Sequence, residues 1–328
     1  MIVQLDQKDK KILKELFDNA RKPYSVIGRN TRLSKEVVNY RIKGMLESGV
    51  LTGFNTVIDV RRLGWKMFFV YVRLRNINVK EDKEIIEDLK SHKNISWLVR
   101  CIGNYDLILK VFVRDNEEID EIVKWLDFRY AEHLDYYAIE YISEEHAVPF
   151  SFIYAPDERK VHQIKKTKKD DYSLSEIDSK ILRELKEEAR LPLSEMSERT
   201  NISRDLLNYH LKKLEKEKII LKYRPDVWPE KLGYNWHFMR LKLGMMNSAT
   251  VRELNTYLLN QKNVTYFYNT VGESDVNIEL RVKTTMELNI ILMELRSILK
   301  TVLKRYEIMI ILDEHIYNYF PDCLMKHQ

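Results

Sequence analysis

The 328-residue sequence is a tandem duplication: shifted by 169 positions, it aligns with itself from end to end without a gap. Between residues 5–53 and residues 174–222, 16 of the 49 aligned positions are identical. The same offset superposes other matching pairs, Leu63-Gly64 with Leu232-Gly233 and Glu145-His146 with Glu314-His315. A repeat of this length is too long for one unit of a solenoid. The sequence therefore predicts one architecture built twice.

The composition indicates a folded protein outside the membrane. Hydrophobic residues make up 45% of the chain and aromatic residues 11%, which is enough for packed cores. No apolar run approaches the roughly 18 residues of a membrane-spanning helix, and the opening residues MIVQLDQKDK are charged where a signal peptide is apolar. The two cysteines, Cys101 and Cys323, match no metal-ligand spacing. We expect a cytoplasmic protein with no membrane partner, no bound metal and no cofactor.

Positive charge is concentrated at the start of the chain. Residues 1–53 contain 11 Lys and Arg against 6 Asp and Glu, a net charge of +5, whereas residues 65–154 contain 12 against 17, a net charge of −5. A basic module beside an acidic one indicates that the first faces a polyanion such as nucleic acid. Random variation between solvated faces is the alternative.

The first module predicts three helices followed by a wing. Apolar residues recur at helical spacing over 6–18, behind Asp6, a residue type that caps helices. A short second helix follows, and Ser34 is placed to cap a third helix that runs to about Glu47. The apolar run that begins at Val50 is typical of the first strand of a hairpin wing.

A three-helix module with a short turn before its last helix is a helix-turn-helix, whose last helix enters the major groove of DNA. On this last helix, which we call the reader helix, Lys35 and Lys43 suit phosphate contacts. Asn39 suits a bidentate contact to adenine, and Tyr40 suits a phosphate or a thymine methyl group. Ordinary solvated helix residues are the alternative for each. The predicted DNA-contacting residues are Ser34, Lys35, Asn39, Tyr40, Arg41 and Lys43 in the first repeat, and Ser203, Arg204, Asn208, Tyr209 and Lys212 in the second.

Residues 5–54 resemble the DNA-binding domain of the leucine-responsive (Lrp/AsnC) transcription regulators. The family pattern is Leu-Asp-x-x-Asp-x-x-Ile-Leu, then Ala-Arg, then Leu-Ser-x-x-x-Val-x-x-Arg-Ile. Three segments of this sequence match the pattern: LDQKDKKIL, AR and LSKEVVNYRI. The resemblance implies a DNA-binding regulator.

The second copy departs from the family pattern. His210 replaces the arginine that the first copy keeps as Arg41, and Lys218 replaces Gly49. Residues 171–224 contain 12 Lys and Arg against 11 Asp and Glu, a net charge of only +1. The second reader helix is therefore expected to bind DNA more weakly, or only to support the fold.

The second module of each repeat predicts the order βαββαβ. In the first repeat, strands are expected at 66–75, 95–102, 107–113 and 136–142, and helices at 81–91 and 116–128. This order is the ferredoxin-like arrangement, and the effector-binding domain of the resembling family is built the same way. The predicted fold class is α+β, with two repeats that each contain a winged helix-turn-helix and a ferredoxin-like domain. The predicted domain bounds are 1–64 and 65–154, a charged linker at 155–170, then 171–233 and 234–328.

A Gly-x-x-Asp turn joins the second and third strands of each ferredoxin-like module. In the resembling family this turn lines a pocket for a small ligand, usually an amino acid. The resemblance therefore implies effector contacts at Gly103, Asn104 and Asp106, and at Gly272 and Asp275. The alternative is a structural turn in which Gly supplies a positive φ and Asp binds the backbone. Because Glu273 adds negative charge beside Asp275, the first turn suits an amino acid's carboxylate better.

Two further features, the recurring Glu-His pairs and the charged linker, allow either a functional or a structural interpretation. The pairs Glu145-His146 and Glu314-His315 are predicted just after the last strand of each module, where a hydrogen bond is favoured over a metal ligand. The linker 155–170 is rich in Lys and Arg, which is typical of a solvated linker and leaves contact with the DNA backbone open.

Together these features predict a non-enzymatic, sequence-specific transcription regulator that binds double-stranded DNA. Because family dimers pair their ferredoxin-like domains, a tandem copy is expected to form that pair within one chain, as a pseudo-dimer, with further self-association left open. One alternative is an architectural protein that coats DNA without an effector. The other is an enzyme: siroheme decarboxylases resemble these regulators, but carry an Arg-rich segment ending in histidine where this chain has Arg61-Arg62 without histidine.

Overall fold

The computed structural model describes residues 2–148, 150–154, 172–318, 320 and 323. In the first repeat the elements are α1 (Gln7–Asp18), α2 (Tyr24–Thr31), α3 (Lys35–Glu47), β1 (Leu51–Ile58), β2 (Lys66–Leu74), α4 (Val79–Ser91), β3 (Ile95–Ile102), β4 (Leu107–Val113), α5 (Asn116–Arg129) and β5 (Leu134–Ala147). In the second they are α6 (Glu176–Glu187), α7 (Leu193–Thr200), α8 (Arg204–Lys216), β6 (Ile220–Val227), β7 (Asn235–Leu243), α9 (Ser248–Asn260), β8 (Val264–Val271), β9 (Val276–Val282), α10 (Thr285–Leu299) and β10 (Leu303–Tyr317). The predicted fold class is confirmed.

Helix caps and an apolar stripe build each helix-turn-helix. The side chain of Asp6 accepts hydrogen bonds from backbone N–H groups in the first turn of α1, and Ser34 does the same for α3. Val38, Ile42 and Met45 are buried on α3 and pack in one core with the apolar face of α1. The opposite face of α3 is therefore left in solvent.

The strand that follows the third helix has a different partner from the one predicted. Instead of forming a hairpin within its own repeat, β1 pairs antiparallel with β6 of the other repeat. The pairing is centred on Asn55 opposite Arg224, which are equivalent positions of the two repeats. The hairpin prediction was wrong because an apolar run identifies a strand but not its partner, and no tight-turn pair such as Asn-Gly follows β1 to close it locally.

Two equivalent arginines fasten the helix-turn-helix modules to each other. The guanidinium of Arg21 donates to the carbonyl oxygens of Ala189 and Leu191, at 2.6 and 2.9 Å. Arg190, which lies 169 positions later, donates to the two corresponding carbonyl oxygens of the first repeat. These reciprocal contacts have the same approximate two-fold relation as the paired strands β1 and β6.

The ferredoxin-like strands of both repeats close into one barrel, in the order β10-β3-β4-β2-β5-β8-β9-β7. Each repeat supplies four neighbouring strands, and two seams join them, β5 with β8 and β10 with β3. The seams are equivalent, since Tyr141 lies opposite Val271 in one and Ile310 lies opposite Ile102 in the other. Closure leaves neither four-stranded sheet with an unpaired edge, and the interior is lined mainly by apolar and aromatic side chains.

The last strand of each module is longer than predicted. β5 continues to Ala147 because residues 144–147 pair with β8 of the other repeat. The pairs Glu145-His146 and Glu314-His315 therefore lie inside strands rather than after them. The predicted linker 155–170 lies outside the described residues. Within the described ranges, no helix is long and apolar enough to cross a membrane.

Candidate DNA-contacting surface and turn sites

The predicted DNA-contacting residues other than Arg41 lie on one exposed face of each reader helix, α3 and α8. On α3, Lys35, Asn39 and Lys43 are exposed, and Tyr40 is 78% exposed. The equivalent residues of α8 are also exposed, except that Asn208 is half-buried. A large aromatic side chain left in solvent beside amide and cationic groups is the surface chemistry that a DNA-reading helix uses.

Arg41 turns back into its own module. Its Nη1 lies 2.8 Å from a carboxylate oxygen of Asp6 and 2.8 Å from one of Asp9, both at the start of α1. The hydrogen bond from the Asp9 backbone and the contact with Arg41 lower the pKa of Asp6 to about 2. Arg41 therefore fixes the orientation of α3 on α1, a role that sequence reasoning missed. Its contact with DNA stays a prediction.

His210 takes the place of Arg41 in the second module and makes the equivalent contact. Its Nδ1 lies 2.8 Å from Oδ1 of Asp178, the counterpart of Asp9. Asp178 is fully buried. Burial favours the neutral acid, but hydrogen bonds from His210 and Ser175 lower the pKa of Asp178 below its ordinary value. The replacement of arginine by histidine thus keeps the anchor of the reader helix.

The two reader helices expose similar positive charge. Lys35 and Lys43 are exposed on α3, and Arg204, Lys212 and Lys216 are exposed on α8. The lower net charge of the second module comes mainly from acidic residues on α6 and α7. Charge on the reader helix itself therefore gives no reason for weaker binding by the second module, and that expectation stays a prediction.

The aspartates of both Gly-x-x-Asp turns bind the backbone. Asp106 accepts a hydrogen bond from the N–H of Leu74 at 2.8 Å, and Asp275 accepts the equivalent bond from Leu243 at 2.7 Å. Gly103 has φ of 149°, in a region that favours glycine. The aspartates of both turns therefore play the part that the structural alternative predicts, while the positive φ is found at Gly103 and not at Gly272. Contact with a ligand stays a prediction.

A buried ion-pair network behind the second turn joins the two repeats. Oε1 of Glu140, on β5, lies 2.6 Å from Nη2 of Arg240, on β7, and both side chains are almost fully buried. The same carboxylate accepts hydrogen bonds from Ser274, Asn277 and Tyr71. Burial alone would raise the pKa of Glu140, but the ion pair with Arg240 and these hydrogen bonds lower it. Glu140 is therefore a charged, fully partnered group inside the barrel.

The equivalent positions of the other repeat carry no charge. The positions equivalent to Glu140 and Arg240 are Met309 and Tyr71. Met309 packs so closely that a Cβ on Gly103 would lie 2.9 Å from its Cγ. Sequence reasoning missed the network. The available signal was a charged residue in an otherwise apolar stretch, Glu140 in YAIEYI and Arg240 in FMRL, with no charged residue at the equivalent position of the other repeat.

The carboxylates of the recurring Glu-His pairs make contacts across the barrel. Nζ of Lys110 lies 2.6 Å from Glu145, and Nε1 of Trp97 donates to Glu314 at 2.7 Å. Burial raises the pKa of Glu314 to about 8. The ring of His146 is stacked on a neighbouring phenyl ring, 4.3 Å between centroids. In the part of the chain that the structure describes, no group of three or more His, Cys, Asp or Glu could hold a metal ion.

Arg61 and Arg62, which lie where siroheme decarboxylases carry an Arg-rich segment ending in histidine, contact carboxylates of this chain. Arg61 makes two hydrogen bonds to Asp59, at 2.9 and 3.0 Å. Nη2 of Arg62 lies 3.9 Å from Glu217. Both guanidinium groups are therefore engaged within the protein.

Comparison with known proteins finds transcription regulators. The family model described as "Winged helix-turn-helix DNA-binding" matches residues 5–52 and 174–220, once in each repeat. HTH-type transcriptional regulator FL11 of Pyrococcus horikoshii is 30% identical over 124 residues, which cover 38% of this chain and 80% of FL11. HTH-type transcriptional regulator Ptr1 of Methanocaldococcus jannaschii is 32% identical over 121 residues, covering 36% of this chain and 79% of Ptr1. Regulatory protein AsnC of Haemophilus influenzae is 29% identical over 120 residues, covering 36% of this chain and 79% of AsnC.

Among solved structures, the siroheme decarboxylase NirDL has a similar fold, with a TM-score of 0.63 over 95% of this chain and 93% of that chain. The two sequences are 13% identical, so the likeness establishes the fold alone. The two helix-turn-helix modules and the regulators that share them define this protein as a DNA-binding transcription regulator. The chain belongs to the Lrp/AsnC family, and it contains the helix-turn-helix unit twice.

Proposed function

We propose that this chain is a sequence-specific transcription regulator that binds double-stranded DNA as an intramolecular pseudo-dimer and has no enzymatic activity. The observation that carries the proposal is the approximate two-fold symmetry between the repeats. It recurs in the strands β1 and β6, in the contacts of Arg21 and Arg190, and at both barrel seams. Two-fold related reader helices are what dimeric helix-turn-helix regulators present to paired half-sites.

Fusion of the two units changes how that pair assembles. In a homodimer the pairing depends on protein concentration, whereas in one chain the second unit is present at a high effective concentration. DNA binding by this protein should therefore need no prior association of two chains. Further self-association of the pseudo-dimer is compatible with the proposal.

We also propose that a small amino-acid-like effector binds at the first Gly-x-x-Asp turn in preference to the second. Behind the second turn, Ser274 and Asn277 already donate to Glu140, so these polar groups are satisfied without a ligand. At the first turn Asn104 is exposed, and Nη1 of Arg73 lies 3.5 Å from Oδ1 of Asp106, slightly farther than Nζ of Lys242 lies from Oδ1 of Asp275 at the second turn, 3.3 Å. A carboxylate beside exposed turn amides offers an acceptor for an ammonium group and donors for a carboxylate.

Enrichment of fragmented genomic DNA by the purified chain tests sequence specificity. A regulator is expected to enrich a few sharp peaks. Broad coverage of all fragments would contradict the proposal and support an architectural protein. Replacing Asn39 and Asn208 together with Ala should remove the peaks but keep salt-dependent binding, because the phosphate contacts remain. Lys80→Ala is the matched control: its side chain is 86% exposed on α4, away from the reader helices, and the peaks should be unchanged.

Incubation with siroheme tests the absence of enzymatic activity. Binding the carboxylates of a tetrapyrrole calls for cationic groups, and Arg61 and Arg62 already contact Asp59 and Glu217. We expect an unchanged siroheme absorption spectrum and no loss of carboxyl groups by mass spectrometry. Decarboxylated product above a no-protein control would contradict this part of the proposal.

A further inference from the structure

We infer that the DNA site is an imperfect inverted repeat whose halves differ at one base pair. The half read by α8 requires a guanine that Arg204 recognises. In the half read by α3, the equivalent base, which lies under Lys35, is weakly constrained. The inference rests on the proposed function and deepens it by naming the residues that make the two half-sites unequal.

Lys35 and Arg204 occupy the same place on their helices. Ser34 and Ser203 are the N-caps, accepting backbone hydrogen bonds at 3.3 and 3.4 Å. Lys35 and Arg204 are therefore each the first residue of a reader helix, and both are exposed. The N-terminal residues of a recognition helix are those that contact base edges.

The two reader helices are also held in the same orientation within their modules. The contact of Arg41 with Asp9 and that of His210 with Asp178 join the same positions of the two repeats, each at 2.8 Å. The modules are in turn related by the two-fold axis through the strands β1 and β6. The helices therefore address the two strands of DNA in equivalent ways, which predicts half-sites in inverted orientation.

Part of the recognition surface is common to both halves. Asn39 and Tyr40 on α3 recur as Asn208 and Tyr209 on α8. Asparagine makes a bidentate contact to adenine N6 and N7. Both half-sites are therefore expected to share the base pair read by the asparagine.

The difference lies in the chemistry of the first helical residue. The guanidinium of Arg204 is a planar fork that matches O6 and N7 of guanine, whereas the ammonium of Lys35 is a point charge on a flexible stem. A bidentate contact of this kind discriminates against a wrong base by on the order of 10- to 100-fold. Because the two half-sites differ, the chain binds its site in one preferred orientation. A symmetric homodimer has no such preference, because its two orientations are equivalent.

Selection of binding sites from random duplexes, with the full-length chain and three variants, tests the inference. The wild type should select an inverted repeat with a strongly preferred G in one half only. Lys35→Arg should select a G in both halves, giving a near-palindrome. Arg204→Lys should weaken the G preference by on the order of 10-fold and make the halves alike. Lys43→Arg is the matched control, because Lys43 lies in the C-terminal half of α3, outside the N-terminal residues that contact base edges, and recurs as Lys212. Its selected sequence should match that of the wild type.

The outcomes separate this inference from the proposed function. A palindromic site for the wild type, or an asymmetric site that Lys35→Arg leaves unchanged, would overturn the inference while sequence-specific binding stands. Failure of every protein to enrich any sequence would overturn the proposed function itself. Circular dichroism spectra that match the wild type establish that each variant is folded.

Discussion

Replacing one partner of the buried pair Glu140–Arg240 should destabilise the barrel strongly. The side chain of Arg240 is 2% exposed and lies 2.6 Å from Glu140 and 2.8 Å from Glu307. Arg240→Tyr places at this position the residue that the other repeat has there, Tyr71. It leaves the Glu140 carboxylate buried without a counter-ion, which costs about 3–5 kcal/mol of the free energy of unfolding.

Adding Glu140→Met should recover part of that loss. The double variant has the uncharged residues of the equivalent positions, Met309 and Tyr71, and removes the orphaned charge. Tyr71, Ser274 and Asn277 then lose their shared acceptor, at a cost of about 1 kcal/mol each. The double variant is therefore expected to be about 0–2 kcal/mol more stable than Arg240→Tyr alone, since an uncharged replacement of a buried ion pair is often close to neutral.

Urea unfolding, followed by the fluorescence of the barrel tryptophans and by circular dichroism, measures these differences. The pKa of Glu140 is lowered in the folded protein, so its stabilisation is present above the ordinary pKa of glutamate and is lost as the pH falls through the lowered value. The deficit of Arg240→Tyr should accordingly shrink in acid, where the orphaned carboxyl is protonated. A deficit below about 1 kcal/mol at pH 7, or a double variant less stable than Arg240→Tyr, would refute the reasoning.

Three further predictions concern single positions. Lys218 has φ of 59° where its counterpart Gly49 has 71°, so Lys218→Gly should raise stability by about 1 kcal/mol and Gly49→Ala should lower it by a similar amount in thermal unfolding. Because burial raises the pKa of Glu314 to about 8, stability should fall as the pH rises from about 5 to 8. Glu314→Gln should remove this slope, about 1 kcal/mol per pH unit, in denaturant titrations at several pH values. Among the twenty amino acids, any that raises the melting temperature should lose its effect in Asp106→Ala but keep it in the matched Asp275→Ala; the reverse pattern would place the effector at the second turn.

The elements of the fold were predictable because their signals are local. Asp6 and Ser34 begin helices as their cap chemistry predicts, and Val38, Ile42 and Met45 are buried at the predicted spacing. The alternation of strands and helices in the second module likewise gave the ferredoxin-like order with bounds close to those observed.

The contacts between the repeats could not be predicted, because they depend on residues far apart in the chain. Nothing near β1 indicates that its partner is β6, and the extension of β5 to Ala147 exists only because β8 lies beside it. Arg41 has the residue type of a DNA contact, yet the nearby carboxylates of Asp6 and Asp9 bind it. Glu140 was not singled out from the sequence, because its counter-ion inside the barrel, Arg240, lies 100 positions away in the chain.

The number of chains bound to one DNA site tests the pseudo-dimer most directly. Native mass spectrometry of the chain with a duplex that carries one selected site should show one chain per duplex. Footprinting of that complex should show two protected major-groove segments about 10 base pairs apart, one for each reader helix. A requirement for two chains to protect the two segments, with a single protected segment for each chain, would contradict the account.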